Sequence, residues 1–221
     1  MSDKTTILVA DDHPLYREAL VNAVSGLETE CDIAVSGSFD EAVRELQERG
    51  ERDLVLLDLN MPGSRGLSGL SQLRAQFPAV PVAVVSATED ANTIRKSIAM
   101  GASGYIPKSS STAEMRLAVS QILAGNIYLP EGIDLDGGVN DEEAEMITRL
   151  QSLTPQQTRV LGMLGEGLLN KQIAYELGVS EATVKAHVSA ILLKLRVDSR
   201  TQAVIQVNKL TNVIDDAPGA G

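Results

Sequence analysis

The chain has 221 residues, 43% hydrophobic and 22% charged, with one cysteine and no tryptophan, a length and composition that suit two unequal globular domains. No apolar stretch is long enough to cross a bilayer, and Asp3 and Lys4 precede only a short apolar run, so neither a membrane span nor a secretory leader is expected and the protein is placed in the cytoplasm. The single Cys31 excludes an internal disulfide and any cysteine-based metal site, and with Ile33 and Val35 beside it reads as a small core hydrophobe on a strand.

The net charge of −11 is unevenly spread. Residues 1–150 carry 12 Lys+Arg against 24 Asp+Glu, whereas residues 151–214 carry 7 against 4. An acidic first part therefore precedes a small, mildly basic one, which charge alone makes a candidate nucleic-acid binder.

Apolar runs at 6–10, 32–35, 54–57, 80–85 and 104–106 read as five strands. Amphipathic stretches at 14–25, 40–49, 67–76, 90–100 and 112–124 read as the helices between them. Such a (βα)5 alternation predicts an α/β, doubly wound parallel sheet with helices on both faces. Ser38 with Glu41, and Ser111 with Glu114, have capping-box spacing, and Gly101 and Gly125 stand just past two helix ends.

Three carboxylates and one amine leave these strands at the same end: Asp11 and Asp12 after the first, Asp58 after the third, Lys108 after the fifth. Parallel neighbours would open them onto one crevice, where ligands bind in open α/β sheets. Clustered carboxylates demand a counter-ion. Oxygen-only donors point to Mg2+, which uses one or two carboxylates together with a phosphate. The implied chemistry is phosphoryl transfer.

From 129 to 150 the chain turns acidic and glycine-containing, with Asp134, Asp136, Gly137, Gly138 and the run Asp141, Glu142, Glu143. This reads as a linker; a short helix over 142–150 is the alternative, and the charge run reads as a solvated face. Beyond it the chain is helical. Thr154, Pro155 and Gln157 supply an N-cap, a first-position proline and a capping-box partner. Further helices are expected over 170–177 and 181–195, around a turn at Gly178, and from Ser199 to near Lys209, so the second domain is all-α with four helices. Val184, Val188, Ile191 and Leu195 form one apolar stripe. Two helices about a tight glycine-containing turn have helix-turn-helix spacing, and the outward face of the second would enter a major groove.

With these motifs in order, the chain resembles response regulators of the NarL/FixJ type, a CheY-like receiver followed by a LuxR-type helix-turn-helix. The resemblance rests on Asp11-Asp12, on Asp58 followed by Leu-Asn-Met-Pro-Gly, on Ser86, and on Gly104-Tyr105 through Lys108. In the second half it rests on Leu153-Thr-Pro-Gln-Gln, Asn170-Lys-Gln-Ile-Ala, Leu177-Gly-Val-Ser and Thr183-Val-Lys-Ala-His-Val.

It implies a receiver over 1–128, a linker over 129–150, a DNA-binding domain over 151–214 and a disordered tail over 215–221. It makes Asp58 the phosphoacceptor for a sensor histidine kinase. Asp12, Asp58 and the Asn60 carbonyl would be Mg2+ ligands, with Asp11 assisting through water. Lys108 would pair with the phosphoryl group, Ser86 would reorient toward it, and Tyr105 would turn inward. Thr183, Lys185 and Ser189 would face a double-stranded DNA operator, with Lys171, Asn170 and Arg200 touching phosphates. The last helix, with Ala203, Val204 and Val207, resembles the family's dimerisation helix, so a homodimer is implied on phosphorylation, and RNA polymerase is a further possible partner. Ala186 and Ser189 are small where some relatives carry larger or basic side chains, which leaves the operator sequence open.

Two other readings share part of this pattern. Aspartyl-phosphate phosphatases also use a carboxylate after an apolar strand, but they place a second aspartate two residues on, where this chain has Asn60. A phosphorylation-independent interaction module would not need the acidic pair, acceptor and lysine together.

Overall fold

The computed structural model describes residues 4–50, 52–135 and 140–211. Five strands, β1 (Thr5–Ala10), β2 (Cys31–Ser36), β3 (Leu54–Asp58), β6 (Val82–Ser86) and β7 (Gly104–Pro107), form one sheet in the order β2-β1-β3-β6-β7. Every neighbouring pair is parallel. Helices α1 (Pro14–Ser25), α2 (Phe39–Arg49), α3 (Ser68–Gln76), α4 (Ala91–Ala99) and α5 (Thr112–Leu123) link them. Side chains alternate across the strands with a period of two. Leu8, Val55, Leu57, Val82 and Val84 pack on α2, α3 and α4, whereas Ile7, Val9, Leu54, Leu56 and Val85 pack on α1 and α5. The expected doubly wound sheet is present.

Helix starts follow the local chemistry. Ser111 and Glu114 make both hydrogen bonds of a capping box, and Asp90 accepts from the Thr93 N–H at 2.7 Å. Ser38 caps Glu41, whose carboxylate bonds instead to the Gly37 N–H. Gly101 and Gly125 have positive φ, as their positions past helix ends predict.

A short antiparallel pair, β4 (Asn60–Met61) and β5 (Ser64–Arg65), follows β3. Strands of two residues leave no periodicity in the sequence, so this pair has no signal there. Cys31 is a second difference: on edge strand β2 it is half-buried rather than in the core, its thiol donating to the Thr29 carbonyl at 3.4 Å.

The acidic linker read over 129–150 contains helix α6 (Asp141–Gln151). Asn140 caps it by accepting from the Glu143 N–H at 2.9 Å. Asp141, Glu142 and Glu145 face solvent, as a charge run should, but Met146, Ile147 and Leu150 share one face of the helix and are buried. Those three apolar side chains dock the helix on α3 and α9. Positions 136–139, the glycine-containing centre of the linker, and the tail at 215–221 lie outside the described residues.

Helices α7 (Pro155–Gly165), α8 (Asn170–Leu177), α9 (Glu181–Leu195) and α10 (Arg200–Thr211) complete the chain. Gly178 terminates α8 at φ 64°, a left-handed conformation that costs glycine nothing and lets α9 leave at a sharp angle. Val184, Ile191 and Leu195 are fully buried and Val188 half-buried, so the predicted stripe is the core face of α9. The apolar core runs on into the first domain: α3 packs on α7, and the Leu67 N–H donates to the Thr211 carbonyl at 2.9 Å. Among the described residues no helix is long and apolar enough to cross a membrane.

Candidate functional site

The strand order reverses at β1, which has β2 on one side and β3 on the other. Chain connections leave a crevice at the carboxyl ends there, and Asp11, Asp12 and Asp58 stand in it. Asp11 is fully buried, its N–H bonded to the Ser36 carbonyl and its Oδ1 accepting from the His13 N–H at 2.8 Å. Asp58 ends β3, in register with Val85 of β6, and is 3% exposed. Its Oδ1 accepts from the Asn60 N–H at 3.3 Å.

Lys108 arrives from β7. Its N–H is bonded to the Ser86 carbonyl at 2.7 Å, which holds the start of its side chain at the strand exits. Its Nζ lies 2.8 Å from both Asp11 Oδ2 and Asp58 Oδ2. Burial holds the Asp58 carboxyl above the usual carboxylate range, Lys108 pulls it back, and the Asp11 charge adds to the rise. For Lys108 burial acts downward, but hydrogen bonds to Asp11 and Asp58 outweigh it and leave the ammonium above its ordinary value. One amine between two buried carboxylates leaves a net negative pocket. Donor atoms of Asp11, Asp12, His13 and Asp58 lie within 4.8 Å of one another. This oxygen-rich set fits a divalent cation.

Ser86 and Tyr105 sit behind the pocket. Ser86 is buried at the end of β6, and its hydroxyl accepts from the Thr88 N–H at 3.2 Å. Tyr105 is fully buried and donates its hydroxyl to the Thr88 carbonyl at 2.6 Å. Burial raises its phenol to about 12. The inward position that the resemblance implies for a later stage is thus already occupied, because Thr88 offers the phenol a buried acceptor.

The structure brings together all the predicted pocket residues, with Asn60 on β4 at the exposed rim. Three further neighbours are not evident from the sequence. His13 places Nδ1 2.6 Å from Asp12 Oδ1. Tyr16, half-buried on α1, lies with its ring under Lys108 Nζ at 4.9 Å from the centroid. Thr88 ties Ser86 to Tyr105. Proximity in sequence to Asp12 is the signal for His13, and one helical turn beyond it the signal for Tyr16.

The second candidate site is the α8–α9 pair. Thr183, Lys185, Ala186 and Ser189 are exposed on α9. Lys185 pairs with Glu181 one turn back at 3.0 Å, and the Thr183 N–H is capped by Ser180. Lys171 is exposed and Asn170 half-buried at the start of α8. Arg200 donates to the Leu168 carbonyl at 2.5 Å, a bond within the domain. Ala203 is fully buried, and Val204 and Val207 are half-buried against the core, so this side of α10 is packed inward.

Residues 7–120 match the response regulator receiver domain, and residues 151–207 match the luxR family of bacterial regulatory proteins. The chain is 43% identical over 210 residues to the glycerol metabolism activator of Pseudomonas putida, covering 92% of this chain and 95% of that one. It is 32% identical over 209 residues to the nitrate/nitrite response regulator NarL of Escherichia coli, covering 94% and 96%. Structures of RcsB from Salmonella typhimurium share the fold, with a TM-score of 0.56 at 18% identity over 95% of this chain and 100% of that one. Pocket, helix-turn-helix and both matches agree: the chain belongs to the NarL/FixJ-type response regulators, transcription regulators that join a receiver to a LuxR-type DNA-binding domain.

Proposed function

We propose that Asp58 accepts a phosphoryl group from a sensor histidine kinase and that its charging controls dimerisation and sequence-specific binding to a double-stranded DNA operator. The observation that carries this is the buried Asp58 carboxylate sharing one ammonium, Lys108, with Asp11 at 2.8 Å on each side. A carboxylate is a weak nucleophile toward phosphorus unless positive charge meets the phosphoryl oxygens. Lys108 stands where it can do this.

Asp11, Asp12, Asp58 and the Asn60 carbonyl would hold Mg2+, which when bound neutralises the carboxylates and the developing phosphoryl charge. The residues of the chain do the rest. An Asp58 Oδ–P bond forms as the donor's own bond to phosphorus breaks and the donor group leaves, Lys108 moves from carboxylate to phosphoryl oxygen, and the Ser86 hydroxyl leaves the Thr88 N–H for another phosphoryl oxygen. Thr88 carries the change to Tyr105 and to α4. The only catalysis in this scheme is the gain and loss of that phosphoryl group.

Thr183, Lys185 and Ser189 would read the major groove, with Lys171, Asn170 and Arg200 at phosphates. Ala203, Val204 and Val207 would serve a homodimer once α10 is released. Exposure of the first three supports that role directly, and the structure of two RcsB dimers bound to two parallel DNAs supports it by likeness of fold. The receiver would span 1–128, the linker 129–150, the DNA-binding domain 151–214 and the tail 215–221, all in the cytoplasm, with RNA polymerase as a further partner.

Phos-tag electrophoresis after acetyl phosphate and Mg2+ tests the scheme. Wild type should shift and Asp58→Asn should not. An unshifted wild type would overturn it, and sustained turnover of an added phosphomonoester, lost in Asp58→Asn, would revive the phosphatase reading.

A further inference from the structure

An ammonium has three N–H donors, and two directions around Lys108 Nζ are taken by Asp11 Oδ2 and Asp58 Oδ2. Nζ also stands over the Tyr16 ring, 4.9 Å from its centroid. That distance is within reach of a cation–π attraction, which strengthens where water is excluded. Lys108 has a side chain only 16% exposed, so it meets that condition. The ring is itself held from both ends. Its backbone lies in the first turn of α1, behind Pro14, and its hydroxyl donates to Met115 Sδ of α5 at 4.0 Å.

We propose that Tyr16 is a positioning residue for phosphoryl transfer, its ring fixing the Lys108 ammonium at the mouth of the pocket while the amine changes partners. This rests on the phosphorylation reading above. With acetyl phosphate as donor, an Asp58 Oδ–P bond forms, the acetyl O–P bond breaks and acetate leaves. Negative charge then moves outward from the carboxylate to the phosphoryl oxygens. Lys108 must follow it on a four-carbon stem with many rotamers. A flat ring beneath Nζ lets the amine slide between oxygens while barring rotamers that swing it into water. No carboxylate can do the same, because a third anion would bind the amine and hold it back.

The test compares Tyr16→Phe, which keeps the ring, with Tyr16→Leu, which keeps apolar bulk without it. Phosphorylation of the full chain by acetyl phosphate should be slowed about three- to ten-fold in Tyr16→Leu and stay within about two-fold of wild type in Tyr16→Phe. The Lys108 ε-methylene protons, assigned with Lys108→Arg, should be shifted upfield by the ring in wild type and Tyr16→Phe and lose that shift in Tyr16→Leu. Thermal melts establish that each variant is folded, and Tyr16→Met replaces Tyr16→Leu if the latter is not. Equal rates in all three proteins, or an ε-methylene shift indifferent to the ring, would overturn the role of Tyr16 alone. A wild type inert to acetyl phosphate would overturn the proposed function, and this role with it.

Discussion

Asp58 is buried beside a second buried carboxylate, and one ammonium serves both. Its pKa is raised in the folded chain, chiefly by burial, so the folded state holds the Asp58 proton more tightly than the unfolded chain does at its ordinary 3.8. The stability this confers is complete below 3.8 and is lost as pH rises through the folded value. At neutral pH in Mg2+-free buffer the charge is therefore a burden. Asp58→Asn should melt at a higher temperature than wild type at pH 7, and the gap should close toward pH 4. Melts followed by circular dichroism at the two pH values check this; a gap that ignores pH would count against the burial argument. Lys108→Met removes the amine that the two acids share, and should lower the pH 7 melting temperature as well as slow phosphorylation.

Helix α4 links the pocket to the rest of the chain because its N-cap, Asp90, stands four residues beyond Ser86. Burial acts upward on the Asp90 carboxyl, but the Thr93 N–H and hydroxyl, with Asn92, hold it below its ordinary 3.8. That stabilisation is present above 3.8 and vanishes as pH falls through the lowered value. Asp90→Ala should cost about 1 kcal/mol in urea unfolding at pH 7, and Asp90→Asn should keep most of the cap while removing its acid sensitivity. Equal acid sensitivity in Asp90→Asn and wild type would refute the assignment.

At this scale the sequence was most legible where caps and periodicity agreed. Helices α8 and α9 fall at the predicted 170–177 and 181–195, since Ser180 caps one end and Gly178 breaks the other. Helix α6 was only half legible. Its acidic first turn looks like solvated linker, and the burial of Met146, Ile147 and Leu150 depends on a surface offered by α3 and α9, far away in the chain. The pocket carboxylates and Lys108 could be placed from strand ends alone. The Tyr16 ring could not, because its relation to Lys108 is set by the packing of α1 on α5.

The two domains are closed on each other through α4 and α6. Lys96 of α4, its side chain 9% exposed, pairs with Glu143 of α6 at 2.5 Å. Arg95 donates to the Asp134 carbonyl, and Gln151 to the Ala99 carbonyl. The sequence's charge split suggests an acidic receiver repelling DNA from the reading head. The structure adds that the closure packs the C-terminal end of α10, with Leu210 and Thr211 buried, and leaves Thr183, Lys185 and Ser189 of α9 exposed. If α10 serves a homodimer as proposed, the closure bears on that helix rather than on access to the groove.

The Lys96–Glu143 pair puts that conclusion to a test. Removing one partner of a buried ion pair is destabilising because the other charge is left uncompensated, by up to about 3–5 kcal/mol when both are fully buried. Glu143 is 25% exposed, so Glu143→Gln should cost less than that, and the loss should fall on the closed arrangement, since opening returns Lys96 to water. Without phosphodonor, Glu143→Gln should sediment as a more extended chain, form more dimer, and bind a selected operator duplex more tightly than wild type at the same salt. The charge-swapped double variant, Lys96→Glu with Glu143→Lys, should restore the wild-type sedimentation coefficient. Glu143→Gln that stays compact with wild-type DNA binding would show that the interface is held by its apolar contacts and not by this pair, whereas a double variant as open as the single one would show that the opening does not come from loss of the ion pair.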